Sequence, residues 1–171
     1  MKLTLIISGE KGSGKTTFVK NLIGHIKSSG LIAGGFIASH EFLSDCYFIK
    51  NLKTNEKTLL MKRVATHDKR PNHFKLYAKG VEMGNNCINN LLEQPPDMAI
   101  IDEIGRYELD GELWNISFTK LIESSIPLIF TTKANLLDKV VEKWSIKPTI
   151  IFQAEDFDDS QKAFERIKKL L

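Results

Sequence analysis

Short apolar runs bounded by turn residues alternate along this chain with stretches whose apolar positions recur every three or four residues, the pattern of an α/β fold. Leu3-Thr4-Leu5-Ile6-Ile7 predicts a buried strand. Phe18, Leu22, Ile23 and Ile26 then share one face of a helix, and Ser28-Ser29-Gly30 supplies its stop. Beyond Ile32 the helical spacing disappears. Three β-leaning runs, residues 33–39, 45–52 and 57–63, follow one another too closely for helical crossovers. They predict an antiparallel β-meander, with Thr54-Asn55 turning between the last two.

Helical patterning returns over residues 81–93, with Ile88, Leu91 and Leu92 on the inner face, and Pro95-Pro96 ends it before the run Met98-Ala99-Ile100-Ile101. A helix over 112–123 is predicted to bury Leu113, Ile116, Leu121 and Ile122. A strand over 128–132, a helix over 136–144 and a strand over 149–152 follow. The closing helix turns Ala163, Phe164, Ile167 and Leu170 inward. The chain carries no internal repeat and no low-complexity linker. Residues 1–171 are therefore expected to form one domain: three layers, a mostly parallel sheet with helices on both faces, and an antiparallel meander extension.

Composition narrows the class without changing this picture. With 171 residues, 42% hydrophobic and 26% charged, the chain is long enough for a core without disulfides or metals. No apolar run approaches the roughly 20 residues of a membrane span, and the first one stops at Ile7, too short for a signal core. Cys46 and Cys87 stand far apart with no C-x-x-C spacing, so a disulfide framework is not expected and the cytoplasm is the expected compartment. The net charge is +3, yet residues 57–79 hold seven basic residues against one acid, Asp68. The ordinary reading of such a run is a solvated surface. Contact with nucleotide phosphates is the sharper one, and nucleic acid is not expected because no aromatic RNA motif accompanies the run.

The chemistry begins at Gly9-Glu10-Lys11-Gly12-Ser13-Gly14-Lys15-Thr16, followed by Thr17, which fits G-x-x-x-x-G-K-[ST] at every fixed position. A buried strand precedes it and a helix follows, the context in which such a loop (P-loop, Walker A) wraps a phosphate. Its backbone N–H groups point inward, and side chains at Gly12 and Gly14 would obstruct them. Lys15 is placed to reach the β- and γ-phosphates, and the Thr16 hydroxyl to ligate Mg2+. The second constellation, Ile100-Ile101-Asp102-Glu103-Ile104-Gly105, puts an acid at the end of an apolar strand, as the Walker B position requires for Mg2+. Glu103 is predicted to face the other side of the extended backbone, or to lie beyond the strand end, within reach of a water near the γ-phosphate. The same residues spell D-x-x-G, which gives Gly105 a place at the phosphate. Thr132-Lys133-Ala134-Asn135 imitates the guanine lock [NT]-K-x-D, but Asn135 lacks the carboxylate that accepts two hydrogen bonds from guanine.

GEKGSGKTTF at 9–18 and IIDEIGRYEL at 100–109 together resemble the small P-loop nucleoside-triphosphatase family that includes the cancer-related nucleoside-triphosphatase and its prokaryotic relatives. GGFIASHEF at 34–42, followed by the run with Tyr47-Phe48, resembles that family's meander. The resemblance implies hydrolysis of ATP, GTP, CTP and UTP to diphosphate and phosphate with Mg2+. It implies Lys15 and Glu103 as catalytic, Thr16 and Asp102 as metal ligands, and a place for Gly105 and Glu108 in the family pattern. The chain departs from that pattern at Arg106-Tyr107 and at Lys133, where a histidine is common. Arg106 is the candidate arginine finger in cis. A monomer is expected. Two other readings stay open: a nucleotide-binding switch with slow, GTPase-like turnover, and a nucleoside or nucleotide kinase, which would need an acceptor site.

Overall fold

The computed structural model describes residues 2–64, 74–155 and 159–171. Asp68, Lys69 and Arg70 of the basic run lie outside them. Eight strands form one sheet: β1 (Thr4–Gly9), β2 (Ala33–Glu41), β3 (Cys46–Asn51), β4 (Lys57–Arg63), β5 (Phe74–Leu76), β6 (Met98–Ile101), β7 (Leu128–Lys133) and β8 (Ile150–Gln153). Their spatial order is β5-β4-β3-β2-β6-β7-β1-β8. The five strands from β2 to β8 run parallel, and β3, β4 and β5 continue the sheet antiparallel beyond β2. Every residue of β1, β6 and the first five of β7 is buried, as continuous apolar strands covered on both faces must be.

The helices divide between the two faces. On one, α1 (Lys15–Ser28) and α6 (Ser160–Lys168) bury Phe18, Leu22, Ile26, Phe164 and Ile167 over Leu5, Ile7, Ile100 and Ile129. On the other, α2 (Ala78–Glu93), α4 (Asn115–Glu123) and α5 (Leu137–Lys143) cover Ile6, Phe36, Ile101 and Phe130. A four-residue helix, α3 (Arg106–Leu109), and a 3-10 turn at Ala134–Leu136 follow the ends of β6 and β7. The expected three-layer architecture and meander are present.

Two sequence expectations change. Helix α4 begins at Asn115 rather than near 112, because Leu113 has a left-handed backbone (φ 49°) and residues 106–109 form a helix of their own. The face of α4 rotates accordingly: Phe118 and Leu121 are buried, and Ile116 is exposed. Leu170 also stays exposed, since α6 ends at Lys168. Strand β5 had no legible signal, being three residues long with one apolar side chain on each side of Lys75.

The parallel β2–β6 pair requires glycine at Gly35. Its φ is +108°, and a Cβ there would sit 2.0 Å from the Ile100 carbonyl oxygen. That oxygen belongs to a buried strand and has no room to retreat. Gly35→Ala is expected to destabilise the fold by about 3 kcal/mol or more, read as a fall in the urea midpoint. An unchanged midpoint would show that β2 and β6 tolerate separation.

Candidate active site

The carboxyl ends of β1, β6 and β7 lie side by side, which is where open parallel sheets collect their ligands. From β1 the chain passes into residues 9–14, where Gly12 and Gly14 adopt φ +82° and +89°. Those left-handed conformations bend the loop back over the start of α1, and a Cβ at either position would be strained. Lys15 Nζ donates to the carbonyls of Gly9 (2.8 Å) and Glu10 (2.7 Å), closing the loop on itself. Partial burial lowers the Lys15 pKa, while Glu103 and Asp102 oppose that shift. The loop's entrance is fixed from β8's side, where Glu155 accepts the Glu10 N–H at 3.1 Å.

Asp102 follows β6 directly and is 1% exposed. Its Oδ2 accepts from Thr16 Oγ1 (3.0 Å) and from the Ala38 N–H (3.0 Å), and its Oδ1 accepts from Thr131 Oγ1 (2.8 Å). One carboxylate thus joins α1, β2 and β7. Burial, with Glu103 adding to it, pushes its pKa up to about 6 against the pull of these three donors. A buried carboxylate beside a threonine hydroxyl is an all-oxygen donor pair, suited to a hard divalent cation such as Mg2+, which keeps most of its ligands as water and phosphate.

Of the two positions expected for Glu103, the structure has the one beyond the strand end. β6 stops at Ile101, and Glu103 takes a left-handed backbone (φ 73°), a conformation a glutamate rarely adopts. It is held there by Thr131, whose Oγ1 accepts the Glu103 N–H (2.7 Å) and whose carbonyl accepts the Ile104 N–H (2.8 Å). Thr131 is therefore the shared brace of both acids. Sequence reasoning missed it, although a polar Thr131-Thr132 pair closing an apolar strand, in parallel register with β1, was the available signal.

Gly105 and Arg106 sit at the start of α3. The Gly105 N–H donates to Glu108 Oε2 at 2.8 Å, so Glu108 caps the short helix and fixes the turn after Glu103. This supplies the physical role that the sequence alone withheld from Glu108. The side chain is 2% exposed, and its Oε1 has no partner among the described residues. Burial raises its pKa to about 7, with the Gly105 N–H opposing, Glu103 reinforcing and Lys143 opposing. Lys143 reaches over from α5 to donate to the carbonyls of Glu108 (2.6 Å) and Leu109 (2.9 Å). Arg106 is exposed on the same side as Glu103, and Asn135 is exposed on the turn after β7.

A family model described as NTPase matches residues 4–156. Over 171 aligned residues the chain is 26% identical to the nucleoside-triphosphatase THEP1 of Methanocaldococcus jannaschii, covering 96% of this chain and 95% of that protein. The crystal structure of THEP1 from the hyperthermophile Aquifex aeolicus superposes with a TM-score of 0.74 at 20% identity, over 99% of each chain. The solution structure of a human cancer-related nucleoside triphosphatase gives 0.72 at 15% identity, over 98% of this chain and 97% of that one. At such identities the two structures establish a common fold.

The raised Glu108 pKa carries a stability consequence of definite sign. Between the ordinary 4.5 and about 7 the folded protein keeps a proton that the unfolded chain has lost. The contribution is therefore complete below pH 4.5 and disappears as pH rises through 7. Glu108→Gln keeps an oxygen acceptor for Gly105 and does not titrate. Its stability relative to wild type is expected to rise by about 2–3 kcal/mol from pH 4.5 to pH 8, measured by urea unfolding across that range. Parallel pH profiles for the two proteins would refute the assignment.

Proposed function

The chain belongs to the NTPase family, and on that footing we propose that it is a Mg2+-dependent nucleoside-triphosphate phosphohydrolase, acting on ATP, GTP, CTP and UTP through Glu103-assisted attack of water on the γ-phosphate. The observation that carries this reading is the 3.0 Å hydrogen bond between Thr16 and Asp102, which brings together the phosphate-loop hydroxyl and the strand-end acid from 86 residues apart. Residues 1–171 act as one domain in this reading, and the protein works as a cytoplasmic monomer. Among the described residues no helix is long and apolar enough to cross a membrane.

The triphosphate lies along the loop of residues 9–17, contributed by Gly9, Glu10, Lys11, Gly12, Ser13, Gly14, Lys15, Thr16 and Thr17. The N-terminal end of α1 faces its negative charge. Lys15 exchanges its bonds to the Gly9 and Glu10 carbonyls for β- and γ-phosphate oxygens. Thr16 and Asp102 would hold Mg2+, which would supply positive charge to offset that of the phosphates. Glu103 accepts a proton from the attacking water as the new O–Pγ bond forms, the bond from Pγ to the bridging oxygen breaks, and the diphosphate leaves. Thr131 and Glu108 keep Glu103 in its left-handed turn. Arg106, at the first position of α3, is placed to meet charge on the transferring group. Gly105 borders the same phosphate.

Asp102 and Glu103 should fail differently when neutralised. In Glu103→Gln, nucleotide and metal affinity persist while single-turnover phosphate release falls about 10²–10⁴-fold, the usual worth of a positioned general base. In Asp102→Asn, Mg2+-dependent nucleotide affinity and turnover both fall, which calorimetric titration with and without Mg2+ separates. Near-parental hydrolysis by Glu103→Gln would remove Glu103 as the base.

Base selectivity should be weak. Asn135 is solvent-exposed and offers guanine one carbonyl acceptor in place of a carboxylate. The kcat/KM values for ATP and GTP are expected to lie within about tenfold of each other, or about 1.4 kcal/mol, in a side-by-side phosphate-release assay of four nucleotides with and without Mg2+. A GTP preference of several orders would favour the switch reading.

A further inference from the structure

Hydrolysis needs room for one water beyond the γ-phosphate, about 30 Å3. The structure offers far more. A cavity of about 350 Å3 opens from Asp102 and Glu103 and runs between the β-meander and the α3 segment, as far as Glu112 and Trp114. It is not the triphosphate cradle. Of the loop residues 9–16, only Lys11 lines it. The cavity therefore meets the phosphate site at the acids and extends away from it. Its size falls in the range of small-molecule sites.

The walls are built for a flat ring. Tyr47 and Phe74 line the meander side and Trp114 the far end. Neighbouring residues of a regular strand face opposite sides of the sheet, so Tyr47 and Phe48 should not both border one cavity. Phe48 turns away: its ring lies under the Lys57 ammonium at 4.2 Å, and Lys57 is not part of the lining. The Tyr47 ring is itself held, stacked on His40 at 4.2 Å and edge-on to Phe74 at 5.4 Å. Preorganised aromatic faces of this kind stack nucleobases of any identity. Asp110 and Glu112 add carboxylate acceptors for hydroxyl groups, and Arg63, Arg106 and Lys133 bring the opposite charge. A wall so mixed in sign fits a neutral, hydroxyl-bearing ring better than a polyanion.

We propose that this cavity is an acceptor site for a nucleoside, and that the protein transfers the γ-phosphoryl group of its nucleoside triphosphate to a hydroxyl of that nucleoside. The inference rests on the phosphate site and on Glu103 as described under Proposed function. The nucleoside oxygen bonds to Pγ, the bond from Pγ to the bridging oxygen breaks, the hydroxyl proton passes to Glu103, and the products are a nucleoside monophosphate and a nucleoside diphosphate. Water is then the default nucleophile when the cavity holds no acceptor.

The test uses the whole chain with γ-phosphate-labelled ATP and Mg2+, either alone or with adenosine, guanosine, cytidine, uridine or thymidine at millimolar concentration. Parallel reactions contain the corresponding monophosphates. Label is expected in a nucleoside monophosphate for at least one nucleoside. Tyr47→Ala should cut that transfer by about tenfold or more while leaving phosphate release to water within about twofold, and Tyr47→Phe, which keeps a stacking face, should restore it. Label found only in inorganic phosphate with all five nucleosides overturns the proposal. So does transfer to the monophosphates alone, or transfer by Tyr47→Ala at the parental rate. Phosphate release without acceptor is read separately: its absence removes the hydrolase reading, and its presence with no transfer removes only the acceptor site.

Discussion

The structure turns on the buried carboxylate of Asp102. A charge in a site 1% exposed survives only with donors around it, and three come from three different elements: Thr16 on α1, Ala38 on β2 and Thr131 on β7. Its pKa of about 6 shows that burial outweighs those donors. The same hydrogen bonds lock β2, β6 and β7 to the first helix, so the stability of the sheet and the geometry of the site have one origin.

Glu103 depends on that arrangement at one remove. A left-handed glutamate is costly, and it persists because Thr131 takes its N–H while Glu108 takes the N–H of Gly105 two residues on. The turn is therefore braced from both sides, by a strand end and by a buried acid. Lys143 carries the bracing further by capping α3 from α5. The acid proposed to act on the nucleophile has its backbone set by neighbours, and it borders a space much larger than a water. Tyr47 and Phe74 form the opposite wall of that space. The meander is then part of the site as well as an extension of the sheet.

Much of this was legible in order along the chain. The phosphate loop could be read because its glycines and its lysine-threonine pair are required at fixed local spacing. Asp102 stood out only in company with the loop motif, since an acid closing an apolar run is by itself a weak signal. The parallel strands followed from continuous apolar runs, and the meander from spacings too short for helices. Boundaries suffered where local signals were weak: the short α3, the left-handed Leu113 that delays α4, and β5.

The sequence by itself therefore determined the fold class, and it marked out the candidate phosphate loop and the two candidate acids, because each is encoded by residues within a few positions of one another. Only the tertiary structure decided that Thr131 braces both acids, that Ala38 donates to Asp102, that Glu108 is a buried cap, and that Tyr47 and Phe74 border a cavity reaching Glu103. Each of these pairs partners from separate strands or helices. Their contact follows from sheet order, register and burial, which arise only when distant segments pack and which no local spacing records.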